Sequence, residues 1–165
     1  MAISDGFEYE LAREILALCY QKQWRIAVAE SCTGGLLSAA ITEIAGSSDV
    51  FDRGFVTYSN LAKTELLGVA EKSLDVFGAV SEQVAREMAE GALLRASVDL
   101  AVSITGVAGP GGSDHKPEGR VCFGLAVKGE QTQGMTHEFG AIGRREVRAA
   151  SVVFALNLLT EASNT

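Results

Sequence analysis

At 165 residues the chain has the length of one domain, and that size buries roughly 70% of the unfolded surface without a disulfide or metal staple. An apolar share of 47% with 21% charged residues excludes disorder, collagen and coiled coil. Fourteen Lys and Arg against 21 Asp and Glu leave a formal net charge of −7, which argues against non-specific nucleic-acid binding, although a local basic cluster is compatible with one small anion.

The N-terminal stretch carries acids where a signal peptide has basic residues, and no apolar run approaches the ~20 residues of a membrane span. Cys19, Cys32 and Cys122 are odd in number and lack C-x-x-C spacing. A cytoplasmic protein with reduced thiols, no membrane partner and no zinc site is therefore expected.

In chain order, Asp5 with Glu8 resembles a capping box, and Phe7, Leu11, Ile15, Leu16 and Cys19 follow at helical spacing. Tyr20 and Trp24 near that helix's end suit packing or an interface. A strand over 25–30 leads into a helix over 36–45, and a strand over 54–59 into a helix from Asn60 to Leu67. Ser81 caps a further helix whose stripe is Val84, Ala85, Met88, Ala89, Ala92, Leu93 and Ala96. Strands are expected over 100–105 and 121–128, with a weaker one around 132–139. A last helix spans about 144–159, apolar nearly all round in its middle and so buried. Ile26–Ala29 and Val121–Val127 are continuous apolar runs, as in strands covered on both faces. Helices alternating with such strands predict an α/β fold, a three-layer α/β/α sandwich. Close-spaced late strands make its central sheet mixed and mainly parallel. Ligands of such sheets sit beyond the carboxyl ends of the strands, which singles out the loops after Glu30, Ser59 and Thr105.

The first loop, Glu30-Ser31-Cys32-Thr33-Gly34-Gly35, leaves a buried strand and opens a helix. Its local string is open to two readings. Ser31 or Thr33 caps the helix, or Ser31 is a nucleophile with backbone donors just downstream for an oxyanion. In the second loop, Lys63 falls in the first turn after a Ser59 or Asn60 cap, where the macrodipole disfavours a cation and Leu61, Leu66 and Leu67 add desolvation. A lysine so depressed serves as general base for a serine, with Tyr58 in the relay; a solvated surface lysine is the alternative.

The third loop packs Gly106, Gly109, Gly111 and Gly112 into one stretch that can pass close to a ligand, yet it is neither a Walker A loop nor a dinucleotide fingerprint. The polar continuation 113–119 is either part of the site or a surface excursion. Arg144, Arg145 and Arg148 open the last helix. Arg144 and Arg148 share a face suited to a phosphate or carboxylate, or else pair with surface acids. His115 and His137 stand apart, so no metal centre is expected. Cys32 has the ordinary character of a small buried thiol.

Ala-Glu-Ser-Cys-Thr-Gly-Gly at 29–35, Val-Thr-Tyr-Ser-Asn-x-Ala-Lys at 56–63, Gly-Ala-Val-Ser at 78–81 and Thr-Gly-x-Ala-Gly-Pro at 105–110 together resemble the competence/damage-inducible CinA C-terminal domain family. The resemblance covers about 26–159 and is similar to the stand-alone form, a single domain over 1–165. It implies an amidohydrolase that converts nicotinamide mononucleotide to nicotinate mononucleotide and ammonia without a cofactor. Carried over, it makes Ser31 the nucleophile and Lys63 its base, with Tyr58 alongside. It places Thr33, Gly34, Gly35, Asn60, Thr105, Gly106 and Gly109 around the substrate, and Arg144 or Arg145 on its phosphate. The chain departs from the family at Leu61, where relatives carry an acid, in a shorter Gly-Pro-Gly-Gly run, and in Gly-Arg-Arg for Gly-Asp-Arg. A non-catalytic nucleotide-binding or interaction module is the rival expectation, and a hydrolase of another small amide a third. The last helix and Trp24 suit a homodimer; burial of that helix within one chain explains it equally.

Overall fold

The computed structural model describes residues 6–113 and 115–165. Five strands, β1 (Ile26–Glu30), β2 (Phe51–Val56), β3 (Leu100–Gly106), β4 (Arg120–Val127) and β5 (Gln133–Glu138), form one sheet in the order β2-β1-β3-β4-β5. The pairs β1–β2 and β1–β3 are parallel, and β3–β4 and β4–β5 antiparallel. The sheet is mixed as expected, with four of its five strands running the same way.

Helices α1 (Phe7–Lys22), α2 (Leu36–Thr42) and α6 (Arg144–Asn164) cover one face. There Ile26, Val28, Leu100, Val102, Ile104 and Phe123 meet Ile15, Ile41 and Leu156, all buried. Helices α3 (Asn60–Leu67), α4 (Glu71–Phe77) and α5 (Glu82–Ala96) lie on the other side of the sheet, where α5 covers the small residues Ala27, Ala29, Ala101 and Ala126. Small side chains on that face let α5 approach closely. Ser103 Oγ donates to Ala85 O at 2.6 Å, and a Cβ on Gly124 would collide with that same carbonyl. Gly124→Ala is therefore expected to destabilise the domain by about 1–3 kcal/mol through overpacking, read as a lower urea midpoint at unchanged slope.

Several boundaries differ from the sequence reading. Strand β2 begins three residues early and ends three early; it is an edge strand whose Arg53 and Gly54 are exposed, so it lacks an apolar signature. Thr57–Ser59 form the connection instead, and Ser59 Oγ caps α3 by accepting from the Ala62 N–H at 3.1 Å. Helix α4 was not expected, because none of its residues is buried. Helix α6 runs a turn further, to Asn164, and is mostly but not wholly covered, with Ala149 exposed. Asp5 of the expected capping box lies outside the described residues, as does Asp114 of the polar loop; Gly6 stands at the N-cap of α1. Tyr20 is exposed, whereas Trp24 packs partly against the core with the Lys22 ammonium 4.5 Å above its ring. No described helix is long and apolar enough to cross a membrane.

Parallel pairing of β2, β1 and β3 brings their carboxyl ends level, with Glu30 opposite both Val56 and Ile104. The ladders run one residue further, through Thr57 N–H to Glu30 O and Ser31 N–H to Ile104 O, both 2.9 Å. The loops after these strands therefore emerge side by side.

Candidate active site

Ser31 leaves β1 in a tight turn of which Gly34 (φ 57°) and Gly35 (φ 104°) adopt the left-handed region, conformations that favour glycine. Gly35 stands at the N-cap of α2 and has no side chain to satisfy the helix amides. The Glu30 carboxylate does so from the strand. Fully buried, it accepts from Thr33 Oγ1 (2.7 Å), Leu37 N (2.9 Å), Ser38 N (3.1 Å) and Ser38 Oγ (2.8 Å). Sequence reasoning missed this role. The available signal was a lone acid closing an apolar strand just before a glycine-opened helix.

Lys63, in α3, is only 2% exposed and among the largest fully buried side chains. Its Nζ lies 3.1 Å from Ser31 Oγ and donates to Thr57 O at 2.8 Å. Burial pushes its pKa below the usual lysine range by desolvating the ammonium. An ionised Cys32 would oppose this, but burial pushes that thiol up to about 11, so at neutral pH it is uncharged and the opposition is absent. The desolvation does not come from the expected leucines alone: Leu67 is buried, whereas Leu61 and Leu66 are exposed. The Thr57 hydroxyl beside this group is buried without a hydrogen-bond partner among the described residues.

A cavity of about 190 Å³ opens on this pair, lined by Ser31, Cys32, Tyr58, Asn60, Lys63, Thr105, Gly106 and Arg144 among others. It adjoins a second of about 300 Å³ along the glycine loop, lined by Gly106–Ser113 and Lys116. Ala79, Val80, Gly106, Ala108 and Arg144 line both. Thr105 is spent structurally, its hydroxyl donating to Ala79 O at 2.9 Å. Lys116 donates to the carbonyls of Phe77 (2.7 Å) and Val80, tying the glycine loop to the segment before α5. Gly109 belongs to the second cavity, and its φ of 91° again favours glycine.

The structure does not gather every candidate at the cavity wall. Thr33 is buried with its hydroxyl on Glu30, and Gly34 and Gly35 are absent from the lining. Tyr58 is 62% exposed; its OH accepts from Arg144 Nη2 at 3.0 Å and makes no hydrogen bond to Ser31 or Lys63 among the described residues. Arg144 Nη1 also donates to Gly109 O at 2.7 Å. Arg145 is exposed and lines neither cavity. Arg148 does not join Arg144 at a shared anion: its Nε and Nη2 donate to Cys32 O (3.0 Å) and Thr33 O (3.2 Å). One helical turn of rise separates the two side chains enough to meet different loops. Among the described residues no group of three His, Cys, Asp or Glu is placed to hold a metal ion.

Residues 8–163 match the model of the CinA C-terminal domain. The chain is 54% identical over 155 residues to the nicotinamide-nucleotide amidohydrolase PncC of Enterobacter agglomerans, covering 93% of this chain and 94% of that one. It is 50% identical over 148 residues to a CinA-like protein of Syntrophobacter fumaroxidans, of whose length it spans 35%. The crystal structure of the competence/damage inducible protein CihA from Agrobacterium tumefaciens superposes with a TM-score of 0.94 at 47% identity, over 100% of both chains. A CinA superfamily protein from Escherichia coli gives 0.87 at 37%, over 98% of this chain and 95% of that one.

Proposed function

Because this chain belongs to the CinA C-terminal domain family, we propose that it is an amidase that hydrolyses the carboxamide of nicotinamide mononucleotide through Ser31 and Lys63. The name and near-complete overlap of the Enterobacter relative support the substrate class. The observation that carries the chemistry is a buried amine, its pKa lowered by desolvation, 3.1 Å from a serine hydroxyl.

An uncharged Lys63 amine has one lone pair to accept the Ser31 proton while an N–H stays on Thr57 O. Ser31 Oγ then bonds to the carboxamide carbon, and its proton passes to Lys63. The resulting ammonium returns that proton to the leaving nitrogen as the C–N bond breaks, releasing ammonia and leaving an ester on Ser31. Lys63 next takes a proton from water, whose oxygen attacks the ester. The C–Oγ bond breaks, and the proton returns to Ser31.

The nucleotide's phosphate end extends along the glycine loop. Arg144, not Arg145, is its anchor in this reading, because Arg144 lines both cavities and its five N–H donors exceed the two bonds it makes to Gly109 and Tyr58. Asn60 and Tyr58 flank the reacting end.

The test is ammonia release from nicotinamide mononucleotide by the purified protein with a metal chelator present. Sustained release of one ammonia per nicotinate mononucleotide formed is expected. Stoichiometric nucleotide binding without ammonia would make the protein a binding module, and release from other carboxamides only would reassign the substrate.

A further inference from the structure

We infer that Arg148 is a positioning residue that fixes the turn after Ser31 and so aims the Cys32 N–H, at the cavity wall, as an oxyanion donor beside Ser31; this rests on the proposed role of Ser31 as nucleophile. In a trans peptide the carbonyl and the following N–H point in opposite directions, so whatever holds the one aims the other. Arg148 Nε holds Cys32 O at 3.0 Å, which turns the Thr33 N–H away from the guanidinium. Arg148 Nη2 holds Thr33 O at 3.2 Å, which orients the Gly34 N–H. That N–H in turn donates to Ser31 O at 3.1 Å, which orients the N–H of Cys32. Arg148 thus holds two successive carbonyls of the turn, sharing Thr33 O with the Leu36 N–H (3.1 Å), and the Gly34 bond carries the constraint to the Cys32 plane.

The Gly34 amide is consumed in this arrangement. The Cys32 amide donates to no other residue among those described and lies against its own thiol, whereas Thr33 is fully buried and lines neither cavity. Cys32 lines the Ser31 cavity and Arg148 does not, so the turn stands between the guanidinium and the reacting space. Gly34 suits the turn through its backbone of φ 57°, which side chains rarely adopt; a Cβ there would meet Arg148 Nη2 only in ordinary contact at 3.5 Å. On the other side, Thr33 Oγ1 is pinned by Glu30.

Losing one aimed oxyanion donor costs about 10²–10³ in turnover. Arg148→Ala is therefore expected to lower kcat for ammonia release roughly 100-fold with KM within about threefold. Added guanidinium ion should restore part of that loss, and Arg148→Lys, which can reach one carbonyl, should fall between. Arg144→Ala is the contrast, with its loss mainly in KM. Arg148 variants with unchanged kcat, or with raised KM and intact kcat as for a phosphate grip, would overturn the inference. If the wild type releases no ammonia from this nucleotide, the proposed activity fails independently of this inference. The rate at which a fluorophosphonate labels Ser31 then reads the same donor: a comparable fall in Arg148→Ala supports the inference, and equal labelling overturns it.

Discussion

Ser31→Ala and Lys63→Ala are each expected to lower kcat/KM for ammonia release by about 10⁴-fold, and the double variant by no more than either alone. The expectation follows from the pair acting as one unit: without the hydroxyl there is no nucleophile to deprotonate, and without the amine the hydroxyl keeps its proton. Lys63 is buried against the Ser31 hydroxyl, and no other side-chain base is hydrogen-bonded to that hydroxyl among the described residues, so none stands in for it. Lys63→Met keeps most of the buried volume and separates loss of the base from loss of packing; it should be as inactive as Lys63→Ala. Lys63→Arg should also fail, since a guanidinium remains protonated and cannot accept the serine proton. Losses that multiply in the double variant would show that the two side chains act independently.

Glu30→Ala is expected to cost about 3–5 kcal/mol, more than an ordinary helix-cap deletion at about 0.5–2 kcal/mol. The difference lies in burial. Four donors, two backbone and two side-chain, converge on a carboxylate with no exposure, and removing it orphans all four in a dry site. In a domain of this size that corresponds to roughly 10 °C in Tm. Glu30→Gln keeps the shape but turns an NH2 group toward donors, so it should recover only part of the loss. Both variants should also lose activity, because Thr33 is released from one side of the turn. Urea unfolding of the three proteins measures this, and a Glu30→Ala loss under 1 kcal/mol would contradict the capping role.

Much of the architecture is legible because two-sided apolar strands leave few ways to be buried. Ile26–Ala29 and Val121–Val127 fit only the interior of a layered sheet, and the loops after Glu30 and Thr105 then fall at one edge. Strand β2 slid by three residues because an exposed edge strand carries no such pattern. Lys63 was marked by its place in the first turn of α3, yet its burial is a tertiary fact; the neighbouring Leu61, 64% exposed, does not contribute to it. The arginines show the limit of periodicity. A spacing of four puts Arg144 and Arg148 on one face, but what each reaches depends on loops from elsewhere in the chain: Gly109 and Tyr58 for the first, Cys32 and Thr33 for the second. Glu30 was hidden for a related reason, since its partners lie up to eight residues downstream across a turn whose shape the sequence does not dictate.

Titration of the Lys63 side chain by nuclear magnetic resonance, set beside kcat/KM as a function of pH, tests the base most directly. A lysine held below its usual pKa by desolvation sheds its proton early as pH rises, so activity should climb through that titration and then level off. Cys32, pushed up to about 11, remains a thiol over the same range and adds no second step. The account predicts that the amine and the activity titrate together below the usual lysine range. A Lys63 ammonium that persists across the pH range of full activity, or activity that falls as the amine loses its proton, would contradict it.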